Sequence, residues 1–326
     1  MTFTTSILQW FRENGRSLPW RDTKDAYAIW LSEIILQQTR IEQGRPYWER
    51  FMRRWPTVEL LAEASEDDIL REWQGLGYYS RARNLHAAAR QICERGGFPD
   101  TIEGLKSLKG VGDYTAAAIG SFAFGLPAAV VDGNVYRVLA RHFGIATPIN
   151  TTEGKHEFAA LAQQLLPPKE AADYNQAMMD FGALQCTPVS PDCSVCPLQE
   201  SCVALREGWV DQLPVKERKL QVKERLLTYV YIRCNGETAI HRRGQGDIWQ
   251  GLYEPWLTEQ VPAGAVLCVR RQKHVLTHRV LYADLWLWQT DRRPQLPAGY
   301  FWIPEGDIDR YAVPRLIEIL LNKLNM

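Results

Sequence analysis

The sequence lacks an excess of either charge, because its 38 lysines and arginines equal its 38 aspartates and glutamates in number. A balanced chain has no strong field of one sign over its whole surface, so any binding to DNA would depend on local clusters of arginine. Arginines do cluster between residues 40 and 54 and between 81 and 90. Scattered arginines more often form a solvated helix face, so these clusters alone do not indicate DNA binding.

The sequence also lacks a signal-peptide pattern and a hydrophobic run long enough to cross a bilayer. We therefore expect a cytoplasmic protein that does not bind membranes. Because disulfides are rare in that compartment, the seven cysteines need another explanation.

Four of the cysteines fall within seventeen residues, at positions Cys186, Cys193, Cys196 and Cys202. Four thiolates at such short range can bind either zinc or an iron–sulfur cluster. Structural zinc sites more often use two close pairs of cysteines, and this spacing does not contain two such pairs. The spacing therefore favours an iron–sulfur cluster.

Two glycines, Gly110 and Gly112, separate one short helical pattern from another that begins near Thr115. We expect a turn too tight for a side chain at either glycine. The backbone N–H groups at the start of the second helix could then bind a phosphate without reading base sequence. An ordinary corner between two helices is the alternative.

Two carboxylates stand out for different reasons. Asp132 precedes a helical run from Val135 to Phe143, where an N-cap would satisfy backbone donors and stay ionised. Glu33 lies in a helical pattern from Ala26 to about Thr39, among apolar neighbours. Desolvation there would raise its pKa, as a general acid at neutral pH requires. A glutamate hydrogen-bonded inside a helix interface would fit the pattern equally well.

A glycine-rich segment, Gly75 to Arg83, joins two helical patterns and carries Tyr78 and Tyr79 next to two arginines. Aromatic side chains beside cations on such a loop can enter a base stack. Tyrosine pairs are also ordinary packing residues, so both interpretations stay open.

The pattern of hydrophobic residues predicts a multidomain chain. Residues 1–207 are predicted to be all-α, residues 208–225 an extended linker, and residues 226–326 an α+β domain. The elements predicted in the last region are strands at 226–233, 238–242, 266–269, 275–276 and 279–289, a turn at Asn235-Gly236 and a helix at 313–324.

Six motifs in the same order resemble the MutY family of adenine DNA glycosylases, which are helix-hairpin-helix glycosylases. They are Leu31–Thr39, Gly75–Arg83, Gly110–Gly112, Val131–Asn134, Asn175–Asp180 and the four cysteines. The resemblance spans essentially the whole chain. It implies a six-helix barrel with a 4Fe–4S domain, followed by a Nudix-like domain. It also implies a monomeric bacterial-type enzyme that removes adenine mispaired with 8-oxoguanine or guanine from double-stranded DNA and leaves an abasic site.

The resemblance also assigns roles to individual residues. Glu33 would protonate the flipped adenine, Asp132 beside Asn134 would face the sugar, and Tyr114 occupies the position of a Schiff-base lysine in bifunctional relatives. The resemblance also implies an adenine pocket (Trp20, Arg21, Gln176) and a set of DNA contacts (Gln37, Gln38, Tyr78, Lys109, Gly110, Gly112). On a loop predicted between strands, from Lys273 to Arg279, it implies three residues that recognise 8-oxoguanine (Leu276, Thr277, His278). The cluster ligands would be the four clustered cysteines (Cys186, Cys193, Cys196, Cys202).

Two positions depart from the family pattern. Lys109 stands where the family usually has proline, which makes the hairpin less rigid and adds a cation. Leu276-Thr277-His278 replaces the commoner Phe-Ser-His, which keeps the hydroxyl and the imidazole but weakens the apolar wedge.

The sequence argues against three other functions. An endonuclease III-type lyase would need lysine at position 114, and it would not explain the C-terminal hundred residues. Nudix-type hydrolysis needs a glutamate-rich metal-binding box, which residues 226–326 do not contain. A non-catalytic DNA-binding protein would be favoured by loss of either acid, but Glu33 and Asp132 are both present.

Overall fold

The computed structural model describes residues 2–217, 223–276 and 279–324. Its helices are α1 (Phe3–Asn14), α2 (Ala26–Ile35), α3 (Ile41–Arg54), α4 (Val58–Glu63), α5 (Glu66–Glu72), α6 (Ser80–Glu94), α7 (Ile102–Lys106), α8 (Asp113–Phe124), α9 (Gly133–Phe143), α10 (Thr152–Leu165), α11 (Ala171–Asp180), α12 (Val203–Glu207) and α13 (Arg315–Leu324). Its strands are β1 (Lys223–Arg233), β2 (Glu237–Arg242), β3 (Tyr253–Glu254), β4 (Trp256–Leu257), β5 (Val266–Leu276), β6 (Arg279–Gln289) and β7 (Tyr300–Pro304). None of the helices in this part of the chain is long and apolar enough to span a membrane.

The chain divides into two compact units. The first combines Met1–Arg40 with Ala88–Arg218, and the second combines Ile41–Ala87 with Lys219–Met326. Residues 41–87 are helical, yet they group with the C-terminal sheets. The sequence-based division at 1–207, 208–225 and 226–326 stays a prediction, because units defined by contacts are not a measure of independent folding.

The first unit has its main core where α1, α9, α10 and α11 meet, around Ile7, Leu139, Phe158 and Phe181. A second cluster joins α2 to α8 through Ile29, Ala117, Ala118 and Phe122. Helix α8 is buried from Thr115 to Phe122, as expected for a helix that is apolar all round. Its small alanines allow α2 to pack closely, and this packing holds the start of α8 next to Glu33.

The second unit contains two sheets. One has the strand order β4-β1-β6-β5, with β1 and β6 parallel along their whole length, and the other has the order β3-β2-β7. Alternate residues of β1 and β6 point to opposite faces. Tyr229 and Leu285 therefore join a core with α13, while Ile232 and Trp288 pack on the other face.

Side chains tie the helical segment of this unit to its sheets. Arg242 of β2 donates hydrogen bonds to Glu66 at 3.1 Å and to Asp67 at 2.9 Å. Arg83 Nη1 donates to the carbonyl of Gln250 at 2.6 Å. Residues 41–87 thus pack as part of the second unit.

The structure corrects several predicted elements. Helix α2 ends at Ile35 and not near Thr39, because the chain turns there and Gln38 adopts a left-handed backbone with φ of 56°. Strand β5 extends to Leu276, with register shifts in its pairing to β6 between Leu267 and Gln272, and β6 begins at Arg279. Most of the predicted loop from 273 to 279 is therefore strand. Strands β3, β4 and β7 were missed, and the last helix begins two residues later than predicted.

The first half of the predicted linker packs against the helical core. Leu213 is buried there and Val215 packs beside it, and the backbone N–H of Ile149 donates to the carbonyl of Val215 at 3.0 Å. Apolar side chains spaced between polar ones explain both the linker-like appearance of residues 209–217 and their attachment to the core.

Candidate active site and cluster-binding segment

A cavity of about 530 Å³ in the first unit brings several of the predicted residues together. Its lining includes Glu33, Gln37, Gln38, Gly112, Tyr114 and Asp132. The end of α2, the start of α8 and the start of α9 each contribute to it. The two acids that the sequence singled out therefore face the same cavity.

Glu33 is 8% exposed and lies on α2. Burial raises the pKa of Glu33 to about 7, against the lowering effect of a hydrogen bond from Tyr114, with a further rise from the charge of Asp132. Such a carboxyl is largely protonated below neutral pH. It can therefore donate a proton to a bound base, as a general acid must.

Tyr114 lies in the first turn of α8, and its hydroxyl lies beside the carboxyl of Glu33 and contacts Met179 Sδ at 3.7 Å. Burial and the neighbouring carboxylates raise the pKa of Tyr114 well above its usual value. The phenol therefore stays neutral. It can donate a hydrogen bond to Glu33, but it offers no amine that could form a Schiff base.

Asp132 is the N-cap of α9, as the sequence predicted. Its Oδ1 accepts the backbone N–H groups of Asn134 and Val135, both at 2.8 Å. Burial nevertheless raises the pKa of Asp132, because desolvation outweighs these hydrogen bonds. The capping hydrogen bonds act against this rise, and the ionised state of Asp132 stays a prediction.

A chain of hydrogen bonds leads from Asp132 to the cysteine segment. Asn134 Nδ2 donates to Asp132 Oδ2 at 2.9 Å, and Asn134 Oδ1 accepts from Arg137 Nη2 at 2.7 Å. Arg137 Nε in turn donates to the carbonyl of Cys186 at 2.7 Å. The backbone at Gly182 passes so close to Asn134 that an added Cβ would lie 2.6 Å from its side chain. A glycine is needed there for this approach.

The predicted adenine-pocket residues have different positions in the structure. Trp20 is buried and Gln176 is half-buried on α11, and among the described residues neither is in the lining of the cavity. Arg21 is also absent from that lining, but its charge acts on Glu33. The structure thus brings the two acids together in this cavity, while the role of the three predicted pocket residues stays a prediction.

Arg21 is held by a buried carboxylate, Asp180. Arg21 donates to both oxygens of Asp180 at 2.8 and 2.9 Å, and Arg16 Nε donates to Oδ1 at 2.9 Å. Burial alone would raise the pKa of Asp180, but the hydrogen bonds from the two arginines lower it to about 2. This fully buried anion fixes Arg21 near the cavity.

The hairpin between α7 and α8 is confirmed as a turn, with Gly110 at φ of 78°. Gly112 differs from the prediction, because its φ is −95° and an added Cβ would meet nothing within 4 Å. Of these two positions, only Gly110 has a left-handed backbone that favours glycine. Lys109 is exposed, and no side chain caps the amides at the start of α8.

The four clustered cysteines line one small cavity together with Arg141. Arg141 Nη1 lies 3.5 Å from Cys186 Sγ and donates to the carbonyl of Thr187 at 2.7 Å. Sulfur donors around one site suit an iron–sulfur cluster. Within residues 2–217, 223–276 and 279–324, no three His, Cys, Asp or Glu side chains are arranged for a single metal ion.

In the second unit, Tyr78 and Leu276 line one cavity. Tyr78 is 47% exposed and has a left-handed backbone with φ of 47°. The guanidinium of Arg81 stacks 5.8 Å from its ring and donates to the carbonyl of Gly77. Thr277 and His278, the predicted 8-oxoguanine contacts, lie outside the described residues.

Sequence reasoning missed three residues that organise this region, namely Asp180, Arg137 and Arg141. Arg137 and Arg141 lie one helical turn apart on α9, and both reach the cysteine segment. Two arginines at this spacing on an otherwise apolar helix face are the signal that could have revealed them. Asp180 ended a recognised motif but received no role.

The described fold and site match known protein families. The HhH-GPD superfamily of base excision DNA repair proteins matches residues 31–168, the iron–sulfur binding domain of endonuclease III matches 186–202, and the NUDIX domain matches 228–323. Together with the cavity and its two acids, these matches define a DNA glycosylase of base excision repair that carries an iron–sulfur cluster. The predicted fold class is therefore confirmed.

Known relatives narrow the class further. An adenine DNA glycosylase of Buchnera aphidicola subsp. Baizongia pistaciae is 31% identical over 304 residues, covering 88% of this chain and 86% of the relative. The human adenine DNA glycosylase is 44% identical over 222 residues, covering 65% of this chain and 41% of the relative. The chain belongs to the adenine DNA glycosylase family.

Solved structures agree with the helical fold. A thermostable thymine-DNA glycosylase matches with a TM-score of 0.59 and 31% identity, covering 63% of this chain and 95% of its own. A trapped endonuclease III–DNA covalent intermediate matches with a TM-score of 0.55 and 22% identity, over 63% of this chain and 94% of its own. At that identity the second match supports the fold alone.

Proposed function

We propose that the protein hydrolytically removes adenine mispaired with 8-oxoguanine or guanine in double-stranded DNA, as a monomer, and leaves an intact abasic site. The observation that carries this proposal is the pair of acids in one cavity, with the pKa of Glu33 raised to about 7. The adenine DNA glycosylase relatives support adenine as the base removed.

The proposed reaction starts with proton transfer. Adenine is a poor leaving group, so neutral Glu33 protonates a ring nitrogen of the flipped base. The glycosidic bond then breaks, its electron pair leaves with adenine, and positive charge develops on the sugar. The Asp132 carboxylate, oriented by Asn134 and the amides of α9, stabilises that charge until water adds to the sugar carbon.

The target base must leave the stack before it can reach Glu33, which costs a few kcal/mol of unstacking. We propose that Tyr78 and Gln37 enter the duplex and that the exposed amides after Gly110 bind a phosphate, with Lys109 adding a positive charge. Gln37 is positioned by a hydrogen bond from its Nε2 to Thr115 Oγ1 at 3.2 Å. Gln38, Trp20 and Gln176 are proposed to contact DNA or adenine.

The reaction product tests the monofunctional part of the proposal. Because Tyr114 offers no amine for β-elimination, a duplex with one A:8-oxoguanine pair should lose adenine and stay unbroken until alkali or heat is applied. The measurement is strand cleavage by gel electrophoresis, with and without alkali. Equal nicking without alkali, together with borohydride trapping of a protein–DNA adduct, would contradict the proposal.

We also propose that Cys186, Cys193, Cys196 and Cys202 hold a 4Fe–4S cluster. A bound cluster would anchor the cysteine segment, whose backbone carbonyls accept hydrogen bonds from Arg137 and Arg141.

Purified protein should be brown and contain four iron atoms per chain by metal analysis. Cys196→Ser should weaken folding or DNA binding more than it changes the rate of base release. Stoichiometric zinc without visible absorption in anaerobically prepared protein would overturn this assignment.

We propose that the residues after 226 read the base opposite adenine, with Thr277 and His278 making the selective contacts and Leu276 contributing little. A site that hydrogen-bonds a distinctive polar group discriminates strongly against an analogue that lacks it. Thr277→Ala with His278→Ala should therefore slow adenine release from A:8-oxoguanine and spare A:G, measured under single-turnover conditions. The same loss on both substrates would remove the recognition role.

A further inference from the structure

The second unit has a cavity of about 550 Å³ that lies where two separate segments meet. Its lining includes Leu76, Tyr78, Arg83, Trp249, Leu276 and Arg279. Tyr78 is the proposed wedge, and Leu276 begins the proposed recognition segment. No sequence motif predicts a role for Trp249, although this residue borders the same cavity.

Trp249 has an unusual backbone conformation, with φ of 64°. This left-handed region is rare for a bulky residue and is kept where the surroundings enforce it, often at a binding site. The turn that imposes it is closed by the backbone N–H of Leu252, which donates to the carbonyl of Trp249 at 3.1 Å. The backbone thus holds the indole at this position.

The neighbouring Asp247 fixes the turn from the other side. Its oxygens accept from Arg225 at 2.7 and 2.9 Å, from Arg243 at 2.7 Å and from the backbone N–H of Ile248 at 2.7 Å. Arg243 also places its guanidinium 5.8 Å from the indole centroid, and the ring of His274 lies 6.2 Å away. The indole is therefore supported by fixed groups before any ligand binds.

We propose that Trp249 is a binding residue for DNA, on which a base of the strand opposite the target adenine stacks when Tyr78 enters the duplex. An aromatic face tolerates any base, so the contact should add affinity without distinguishing guanine from 8-oxoguanine. Arg83 and Arg279 border the same cavity and supply positive charge suited to the adjoining phosphates, although Arg279 also pairs with Asp247 of the same lining at 3.5 Å. This inference rests on the proposed function, because that function places a duplex at Tyr78.

The test compares Trp249→Leu with a matched tryptophan. Trp302 is also half-buried in a sheet of this unit and also has an arginine, Arg293, at 5.4 Å from its ring, but it lies outside the cavity lining. Binding is measured with duplexes that carry an uncleavable 2′-fluorinated adenosine opposite guanine or 8-oxoguanine. Trp249→Leu should raise Kd on the order of tenfold for both duplexes. Trp249→Phe should keep most of the affinity, and Trp302→Leu should bind as the unaltered protein does.

A second readout reports stacking directly. A 2-aminopurine opposite the adenosine analogue should be quenched when the unaltered protein binds, and Trp249→Leu should reduce that quenching. Unchanged affinity and quenching in Trp249→Leu, or an equal loss in Trp302→Leu, would overturn the inference and leave Trp249 a packing residue of the sheet. The proposed function is judged separately, by whether the unaltered protein releases adenine from cleavable versions of these duplexes.

Discussion

Replacing Glu33 with glutamine is expected to slow adenine release by roughly a hundredfold to ten-thousandfold, the usual contribution of a general acid. Glutamine keeps the shape of the side chain and can still hydrogen-bond to Tyr114, but it cannot give up a proton. Binding to a duplex with an A:8-oxoguanine pair should therefore persist. The measurements are single-turnover base release and the equilibrium Kd on the same duplex. A near-normal rate in Glu33→Gln would show that another group supplies the proton.

The pH dependence of the rate should identify the same group. Because burial raises the pKa of Glu33 to about 7, the protonated acid is present below this pH and is lost above it. Single-turnover base release should therefore fall as pH rises through about 7. Glu33→Gln should lack this decline. A decline that is the same in both proteins would assign the titration to another residue.

Stability should also fall as pH rises. Between the unfolded pKa of 4.5 and the folded pKa of about 7, the native state binds more protons at Glu33 than the unfolded state does. The protein thus loses stability as pH rises through this window, by about 3 kcal/mol for a shift of this size. Glu33→Gln should be more stable than the unaltered protein at pH 9, and the difference should shrink at pH 4. Thermal unfolding at both pH values checks this.

Asp180→Asn is expected to lower the free energy of unfolding by about 3 kcal/mol, because removing one partner of a buried ion pair leaves the other charge uncompensated. Asp180 is fully buried, and the side chain of Arg21 is only 11% exposed. The lowered pKa of Asp180 means that its contribution is present above its unfolded value and is lost as pH falls towards about 2. Urea unfolding at neutral pH and in acid measures both effects.

The matched control is Asp113, which pairs with Lys106 at the surface and is 87% exposed. Exposed pairs contribute little, so Asp113→Asn should leave the unfolding curve nearly unchanged. Base release by Asp180→Asn should also fall, because Arg21 loses the partner that fixes it near Glu33. Equal unfolding midpoints for the two variants would show that Asp180 does not stabilise the native state.

Helix α9 could be predicted because its hydrophobic period and its cap coincide. Asp132 was recognised as an N-cap from its place before an apolar helix, and the turn at Asn235-Gly236 from its dipeptide. The end of α2 could not be predicted, because the apolar period continues past Ile35 while the left-handed backbone at Gln38 ends the helix. Strand β7 was missed because its hydrogen bonds to β2 join residues about 60 positions apart.

The site was predictable where one residue carries the chemistry. Glu33 and Asp132 were found because each acid stands in an apolar or capping context that a single stretch of sequence reveals. Arg137, Arg141 and Asp180 were not, because each acts through partners that are distant in the chain. The pKa of Asp132 also depends on burial by remote residues, which no local pattern encodes.

The grouping of residues 41–87 with the C-terminal sheets limits how this enzyme can be recombined with its relatives. A chimera that exchanges only the residues after 225 would separate Arg242 from Glu66 and Asp67, and Gln250 from Arg83. Such a hybrid would lose activity because these contacts between residues 41–87 and the C-terminal segment are missing, even if the donated segment read the opposite base well. An exchange that carries Ile41–Ala87 with the C-terminal segment would keep these contacts and transfer Tyr78 together with its own cavity.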